Sequence, residues 1–329
     1  MKKILLILSV LMFTFSCGSK EKTEGVSGDA SKASGNEKIK IEIISKGYQH
    51  EFWRTVELGA KKAGEDLGAE VNFIGPEKES EVGKQVGMVE NAINKKVSAI
   101  GIAALDANAL EPVIKKAIDA KIPVVSFDSD IKGEITASFV ATDNIAAGEL
   151  AGEEMAKRIG GKGKVAIVAH NAGTSTAIDR EAGFKKAMAK YPDIQVLNTQ
   201  FSDGDKSKAL SITLDIINAN PDIKGIFGTN EGAAYGVAKG IEEKGLAGKV
   251  IVIGFDSSED MVKFIEKGIA TGTVIQDPYR MGYETVKQLY SLIKGEKVEK
   301  RIDTGANFVS KENLNNEDIQ KLLFPLGKK

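Results

Sequence analysis

The residues of this chain that offer chemistry beyond packing sit where strands end. Trp53, the single tryptophan among 329 residues, stands beside Phe52, after an isoleucine-rich strand over 39–44 and at the start of a helix that closes at Gly68. In an open α/β sheet that junction faces the ligand crevice; the alternative is a pair of aromatics capping the core. Two buried-strand patterns end alike, in Phe127-Asp128-Ser129 and Phe255-Asp256-Ser257. If two similar halves face each other, Asp128 and Asp256 point into one shared cleft. The alternative is that each aspartate caps the loop after its strand.

This is a vocabulary of polar recognition rather than of catalysis. There is no Gly-x-Ser-x-Gly elbow, and neither histidine, His50 or His170, pairs in sequence with a nucleophile. Gly160-Gly161-Lys162-Gly163-Lys164 follows a helix and precedes a strand, the reverse of a phosphate loop. Asp203-Gly204-Asp205 starts like a calcium loop, but Lys208 takes the glycine position and Leu214 that of the terminal glutamate. One cysteine and two histidines leave no material for a thiolate cluster or a histidine-rich zinc site. No metal and no cofactor is expected. A net charge of -1 without a basic stripe argues against a nucleic-acid partner.

The elements that must position these residues alternate from 39 onward. Strands are expected over 70–74, 99–103, 123–127, 138–141, 164–169, 194–199, 225–228, 250–255 and 271–275. Helices are expected over 80–96, 108–120, 145–159, 174–190, 206–219, 232–244, 258–267 and 279–293. Such alternation gives parallel sheets covered by helices on both faces, an α/β class. Ahead of it, a charged start, an apolar run over 4–15 and Ser16-Cys17 make residues 1–17 an export signal, too short to span a membrane. Residues 18–38, rich in Gly, Ser, Lys and Glu, read as a flexible tether.

Seven stretches, in this order and spacing, resemble one family: Lys46 with Phe52-Trp53; Phe127-Asp128-Ser129-Asp130; Thr142-Asp143-Asn144; residues 173–180, ending in Arg180; Thr229-Asn230-Glu231; Gly254-Phe255-Asp256; and Gln276-Asp277-Pro278-Tyr279. The chain resembles a ribose-type periplasmic sugar-binding protein of an ABC importer, over about 39–323. The resemblance implies two doubly wound parallel-sheet lobes joined by three hinge strands. The N-terminal lobe would be 39–142 with 277–303, the other 143–276 with 304–329, and Asp143, Asn144, Asp277 and Thr304 would lie at the hinges. In that family, aromatics at the positions of Phe52 and Trp53 stack on a pyranose face, and Lys46 and His50 also approach the sugar. Asp128, Arg180, Asn230, Asp256 and Gln276 match positions that hydrogen-bond its hydroxyls, each of which donates and accepts.

For three of these a plainer reading stands alongside: a surface ion pair of Arg180 with Asp179 and Glu181, a helix N-cap at Asn230, and turn chemistry at Gln276. The chain also departs from the family pattern. Ser129 stands where arginine is common and Gly204 where an aromatic is common, which implies a wider pocket. Lys46 resembles the allose-binding branch.

The implied function is capture of an aldose such as ribose, allose or xylose and delivery to an ABC permease with its cytoplasmic ATPase. Chemistry on the sugar is not expected. A signalling furanose, polyol or nucleoside is the alternative ligand, and a chemoreceptor the alternative output. Cys17 at the cleavage point resembles a bacterial lipoprotein, although Thr14 and Phe15 depart from its usual residues; ordinary cleavage is the other reading. The expected product is an exported monomer, held to the cell membrane only by its lipid and facing the periplasm or the cell exterior.

Overall fold

The strands form where aliphatic runs are too short for helices and bounded by Gly, Pro or Asp, and most are buried on both faces, as parallel strands under helices must be. A computed structural model describes residues 38–324; the export signal with Cys17, the tether up to 37, and 325–329 lie outside the described residues. The strands are β1 (Lys40–Ile44), β2 (Glu70–Ile74), β3 (Ala99–Ile102), β4 (Val124–Phe127), β5 (Phe139–Ala141), β6 (Gly163–Ala169), β7 (Ile194–Val196), β8 (Gln200–Phe201), β9 (Ile223–Gly228), β10 (Ile251–Phe255), β11 (Gly272–Gln276), β12 (Arg301–Asp303) and β13 (Ala306–Ser310). The helices are α1 (Glu51–Leu67), α2 (Val82–Asn94), α3 (Ala107–Asp119), α4 (Asn144–Arg158), α5 (Ser175–Met188), α6 (Lys206–Ala219), α7 (Glu231–Glu243), α8 (Glu259–Glu266), α9 (Pro278–Ile293) and α10 (Glu317–Leu323).

Two sheets result, with matching order. One runs β2-β1-β3-β4-β5-β12 and the other β7-β6-β9-β10-β11-β13, with β8 also paired to β6. All pairs are parallel except β11 with β13, where Gln276 faces Ala306 in antiparallel register. That antiparallel edge, together with β12, β13 and α10, goes beyond the elements expected from sequence. The expected strand over 194–199 splits into β7 and β8.

The matching orders make β4 the counterpart of β10, so the Phe-Asp-Ser repeat is a structural repeat. Both aspartates leave their strands in the left-handed region, at φ 55° for Asp128 and 69° for Asp256. Among non-glycine residues, aspartate and asparagine tolerate that conformation best. It turns each carboxylate back over the carboxyl end of its own sheet.

The chain passes between the two sheets three times: from β5 into α4, which packs on the second sheet, from β11 into α9, which packs on the first, and from β12 directly into β13. At the first and third crossings Thr304 N donates to Ala141 O at 3.2 Å and Thr142 Oγ1 to Gly305 O at 3.1 Å. The helix pair α4 on α5 holds Arg180 in place. A Cβ on Gly183 would come within 2.1 Å of Ile145 O, and one on Gly148 within 2.3 Å of Arg180 O, so the two backbones touch.

Candidate ligand-binding site

Parallel α/β sheets bind ligands outside the carboxyl ends of their strands, and here the carboxyl ends of both sheets contribute to one place. Lys46 follows β1, Asp128 follows β4, His170 follows β6, Asn230 follows β9, Asp256 follows β10 and Gln276 ends β11. With His50, Phe52 and Trp53 from the start of α1, Glu79 from the loop after β2, and Arg180 from α5, all but Gln276 line one small cavity, and Gln276 joins it through Asp256. Every one of these residues is buried.

On one side Lys46 Nζ lies 2.8 Å from Asp128 Oδ2, with both side chains almost wholly out of water. Ser129 Oγ donates to the same carboxylate at 2.7 Å and accepts from Lys46 Nζ at 2.9 Å. Lys46 also reaches Thr176 Oγ1 of α5, at 3.3 Å. Behind it His170 sits between Thr176 Oγ1, at 2.9 Å, and Thr229 Oγ1, at 2.8 Å. Burial, with Lys46, Arg180 and His50 adding positive charge nearby, drives the His170 pKa well below its ordinary value. Its ring is neutral at physiological pH.

Arg180 is far from a surface ion pair. Its Nε donates to Asn144 Oδ1 at 2.8 Å and its Nη1 to Thr229 O at 2.7 Å, while the guanidinium carbon lies 3.6 Å from the centroid of the Phe255 ring. The plane is therefore fixed from one face and two edges, which leaves Nη2 free to address a guest.

Asp256 does not cap its own loop either; Ser258 does that for α8. Its Oδ2 accepts from Glu231 N at the start of α7, at 3.0 Å, and its Oδ1 from Gln276 Nε2, at 2.6 Å. Burial raises the Asp256 pKa, against the lowering by Arg180 and the Gln276 bond. The turn role considered for Gln276 belongs to its neighbour Asp277, the N-cap of α9. Asn230 does cap α7 through Oδ1, which accepts from Ala233 N at 2.9 Å. Its Nδ2 faces the Gly204 turn.

Trp53 lies in the first turn of α1, 1 % exposed, and belongs to the core as well as to the cavity wall. It meets Phe52 and Phe127 edge-on, with centroids 4.9 and 6.3 Å apart, and Nε1 donates to Glu79 Oε1 at 2.9 Å. The widening expected at Gly204 is not found. A Cβ there would meet Glu79 Oε2 at 2.9 Å and Asn230 Nδ2 at 3.4 Å, so these side chains fill the room an aromatic would need.

Glu79 and Glu231 are not among the candidates the sequence offers, and for His170 it leaves open whether the residue lines the cleft or simply ends its strand. Glu79 is hidden in the acidic run 77–81, which reads as solvated surface, and Glu231 reads as a favourable charge at a helix start. His170 had a signal: it follows β6 as Lys46 follows β1 in the matching sheet. Of the expected hinge residues, Asp143 caps α4 and takes Asp303 Oδ1 on its amide at 3.1 Å. Asn144 links Arg180 to Thr142 O, and Thr304 Oγ1 lies 3.4 Å from Thr142 Oγ1. All four expected hinge residues, Asp277 included, sit at the three crossings.

Four buried polar atoms have no hydrogen-bond partner among the described residues: His50 Nδ1 and Arg180 Nη2, whose residues line this space, and Glu231 Oε1 and Gln276 Oε1, whose residues adjoin it through His50 and Asp256. Buried polar atoms are rarely left so, and here two acceptors and at least one donor converge. The cavity itself measures about 10 Å³, room for one water. A roomier groove of about 430 Å³ adjoins it and shares Phe52 and Asp256 as walls. Lys46 to Thr176, Gln49 to Gly204 O and Phe52 N to Glu231 bridge the two sides of the cavity, so a guest the size of a sugar ring enters only when these contacts part.

Residues 41–297 match the family model described as a periplasmic binding protein domain. The chain belongs to that family. Its members bind solutes for transport rather than transform them. The protein is 30% identical over 273 residues to the ribose import binding protein of Salmonella typhimurium, covering 83% of this chain and 90% of that one. Among solved structures it is similar to an ABC transporter solute-binding protein from Agrobacterium vitis with bound D-fucose, at 40% identity and a TM-score of 0.84, over 86% of this chain and 99% of the other. A carbohydrate transporter solute-binding protein from Agrobacterium radiobacter, in complex with D-arabinose, matches at 37% identity and a TM-score of 0.85, over 87% and 99%.

Proposed function

We propose that this protein captures a monosaccharide, an aldose of the ribose, allose or xylose kind, between its two lobes and delivers it to an ABC permease. The observation that carries the reading is the ring of unpartnered donors and acceptors around the cavity, set against the Trp53 and Phe52 rings. A sugar hydroxyl donates and accepts at once, so it suits carboxylate and amide oxygens on one side and guanidinium on the other. Its C–H faces suit aromatic rings. Asp128, Asp256, Asn230, Gln276, Arg180, Lys46 and His50 supply the polar grip, and Glu79 and Glu231 join them. At roughly 1.5–3 kcal/mol per charge-assisted bond, a few such contacts reach micromolar affinity, about −8 kcal/mol, after ordering costs.

Lobe boundaries near 142/143, 276/277 and 303/304 make the three crossings the hinge. A ligand touching both lobes favours the closed population by differential binding, with no chemical step. The permease and its ATPase read the closed shape, and a chemoreceptor is a second reader of the same surface. Export, with acylation of Cys17, would hold the protein at the membrane while the segment 18–38 gives it reach.

A titration with pentoses, hexoses, polyols and nucleosides, followed by Trp53 emission and melting temperature, tests this reading. A saturable emission change with a raised melting temperature for an aldose is expected. A sugar that raises the melting temperature but leaves Trp53 emission unchanged would refute the stacking role. A response to polyols or nucleosides alone would replace the aldose.

A further inference from the structure

The start of α1 carries a bridge across the cleft built from groups that also face the sugar. His50 Nε2 lies 3.9 Å from Glu79 Oε1 on its own side, and Nδ1 lies 3.7 Å from Glu231 Oε1 on the other. All three side chains are about 3 % exposed. His50 Nδ1 and Glu231 Oε1 are two of the four unpartnered atoms, and they face each other. Glu231 Oε2 meanwhile accepts from Phe52 N at 3.2 Å, taking one of the free first-turn amides of α1. Glu51 returns the contact by accepting from Glu259 N of α8 at 3.3 Å. The two lobes thus supply hydrogen-bond acceptors to each other's helix starts, with His50 between.

We propose that ligand capture is proton-linked: His50 takes a proton from solvent as the lobes meet and ties Glu79 to Glu231 as an imidazolium. The inference rests on the sugar-capture reading above and names a regulation of that site. Opening removes Glu231 from His50 and leaves Glu79, so the ring holds its proton more tightly closed than open.

The other charges around it decide the sign. Burial alone pulls the His50 pKa down, but Glu231, Glu79 and Asp256 together outweigh burial and leave it raised. Lys206 Nζ, 3.7 Å from Glu231 Oε1, competes for that carboxylate from the rim, where Glu51 adds negative charge. Lys46 and Arg180 lie across the cavity, Lys46 paired with Asp128 and Arg180 held by the neutral Asn144 and Thr229 oxygens with Nη2 unpartnered. Gln49 Nε2 is 3.2 Å from His50 Nε2 and 3.3 Å from Gly204 O. It donates to a neutral ring and to Gly204 O, and turning the amide to offer oxygen to a protonated ring would set it against that carbonyl, so this one contact opposes protonation. A group held more basic in the closed state contributes below its open-state pKa and stops contributing as pH rises through the closed-state value. Affinity therefore falls as pH rises from the open-state value through the higher closed-state one.

The test is calorimetric titration of the whole protein with D-ribose, D-allose, D-fucose and D-arabinose, in buffers of differing ionisation enthalpy from pH 6 to 9. Expected is net uptake of a fraction of a proton near neutral pH, with Kd rising up to about tenfold for each pKa unit separating the two states. His50→Gln abolishes the uptake and flattens the pH profile. Glu231→Gln, which keeps the shape, shrinks both. Sugar binding without proton exchange and with a flat Kd would overturn this inference and leave sugar capture standing, as would uptake that persists in His50→Gln. No binding of any of the sugars at any pH would overturn both.

Discussion

Asp256→Asn isolates charge from shape at the centre of the account. Asparagine has the same volume and accepts the left-handed backbone of this position, φ 69°; alanine would add strain of roughly 1–2 kcal/mol. The wild-type carboxylate receives Gln276 Nε2 at 2.6 Å and Glu231 N at 3.0 Å. An asparagine oxygen can keep the Glu231 amide, and Gln276 can turn its unpartnered Oε1 toward the new amide hydrogens. The local network therefore survives with neutral bonds. A charge-assisted bond of about 1.5–3 kcal/mol becomes one of about 0.5–1.5, so a sugar hydroxyl on this group loses about 1–2 kcal/mol, a five- to thirtyfold rise in Kd. A similar loss within the protein lowers Tm by about 2–4 °C per kcal/mol. Calorimetry with the best-binding sugar and a thermal melt measure both. An affinity within twofold of wild type, in a protein that still folds, would refute the placement of Asp256 against the ligand.

Other outcomes follow from the same geometry. Lys46→Met strands the buried Asp128 carboxylate and should cost about 3–5 kcal/mol. Adding Asp128→Asn should restore part of that in denaturant unfolding, and simple additivity would contradict a coupled pair. Trp53→Phe leaves Glu79 Oε1 without its indole donor, which should cost about 1–3 kcal/mol and remove the emission response to sugar. Gly183→Ala places a methyl 2.1 Å from Ile145 O. It should destabilise the α4–α5 pair by about 1–3 kcal/mol, read as a lower Tm, with loss of sugar affinity through Arg180.

The alternation of elements was legible because most strands are short aliphatic runs, several of them ended by Gly or Asp, and the helices have periodic faces. The last stretch was not. β12 is three residues long, and β13 alternates as Ala-Asn-Phe-Val-Ser, too weak a pattern to stand out, because its place is fixed by pairing with β11 rather than by its own composition. At the site, Asp128 and Asp256 were visible as a repeat. Arg180 left an ion-pair reading open because its neighbours in sequence are acidic, yet its partners Asn144 and Thr229 are 36 and 49 residues away. Glu79 and Glu231 looked like solvated surface and helix-dipole charges. Only folding brings them to Trp53 and His50, and long-range proximity of that kind leaves no local trace.

The central claim is that two lobes close over an uncharged sugar. Small-angle scattering of the protein with and without saturating amounts of the aldose that binds best tests it most directly. A smaller radius of gyration with the sugar is expected, reached in parallel with the Trp53 response. An unchanged radius at saturation would contradict closure as the way this protein holds its ligand.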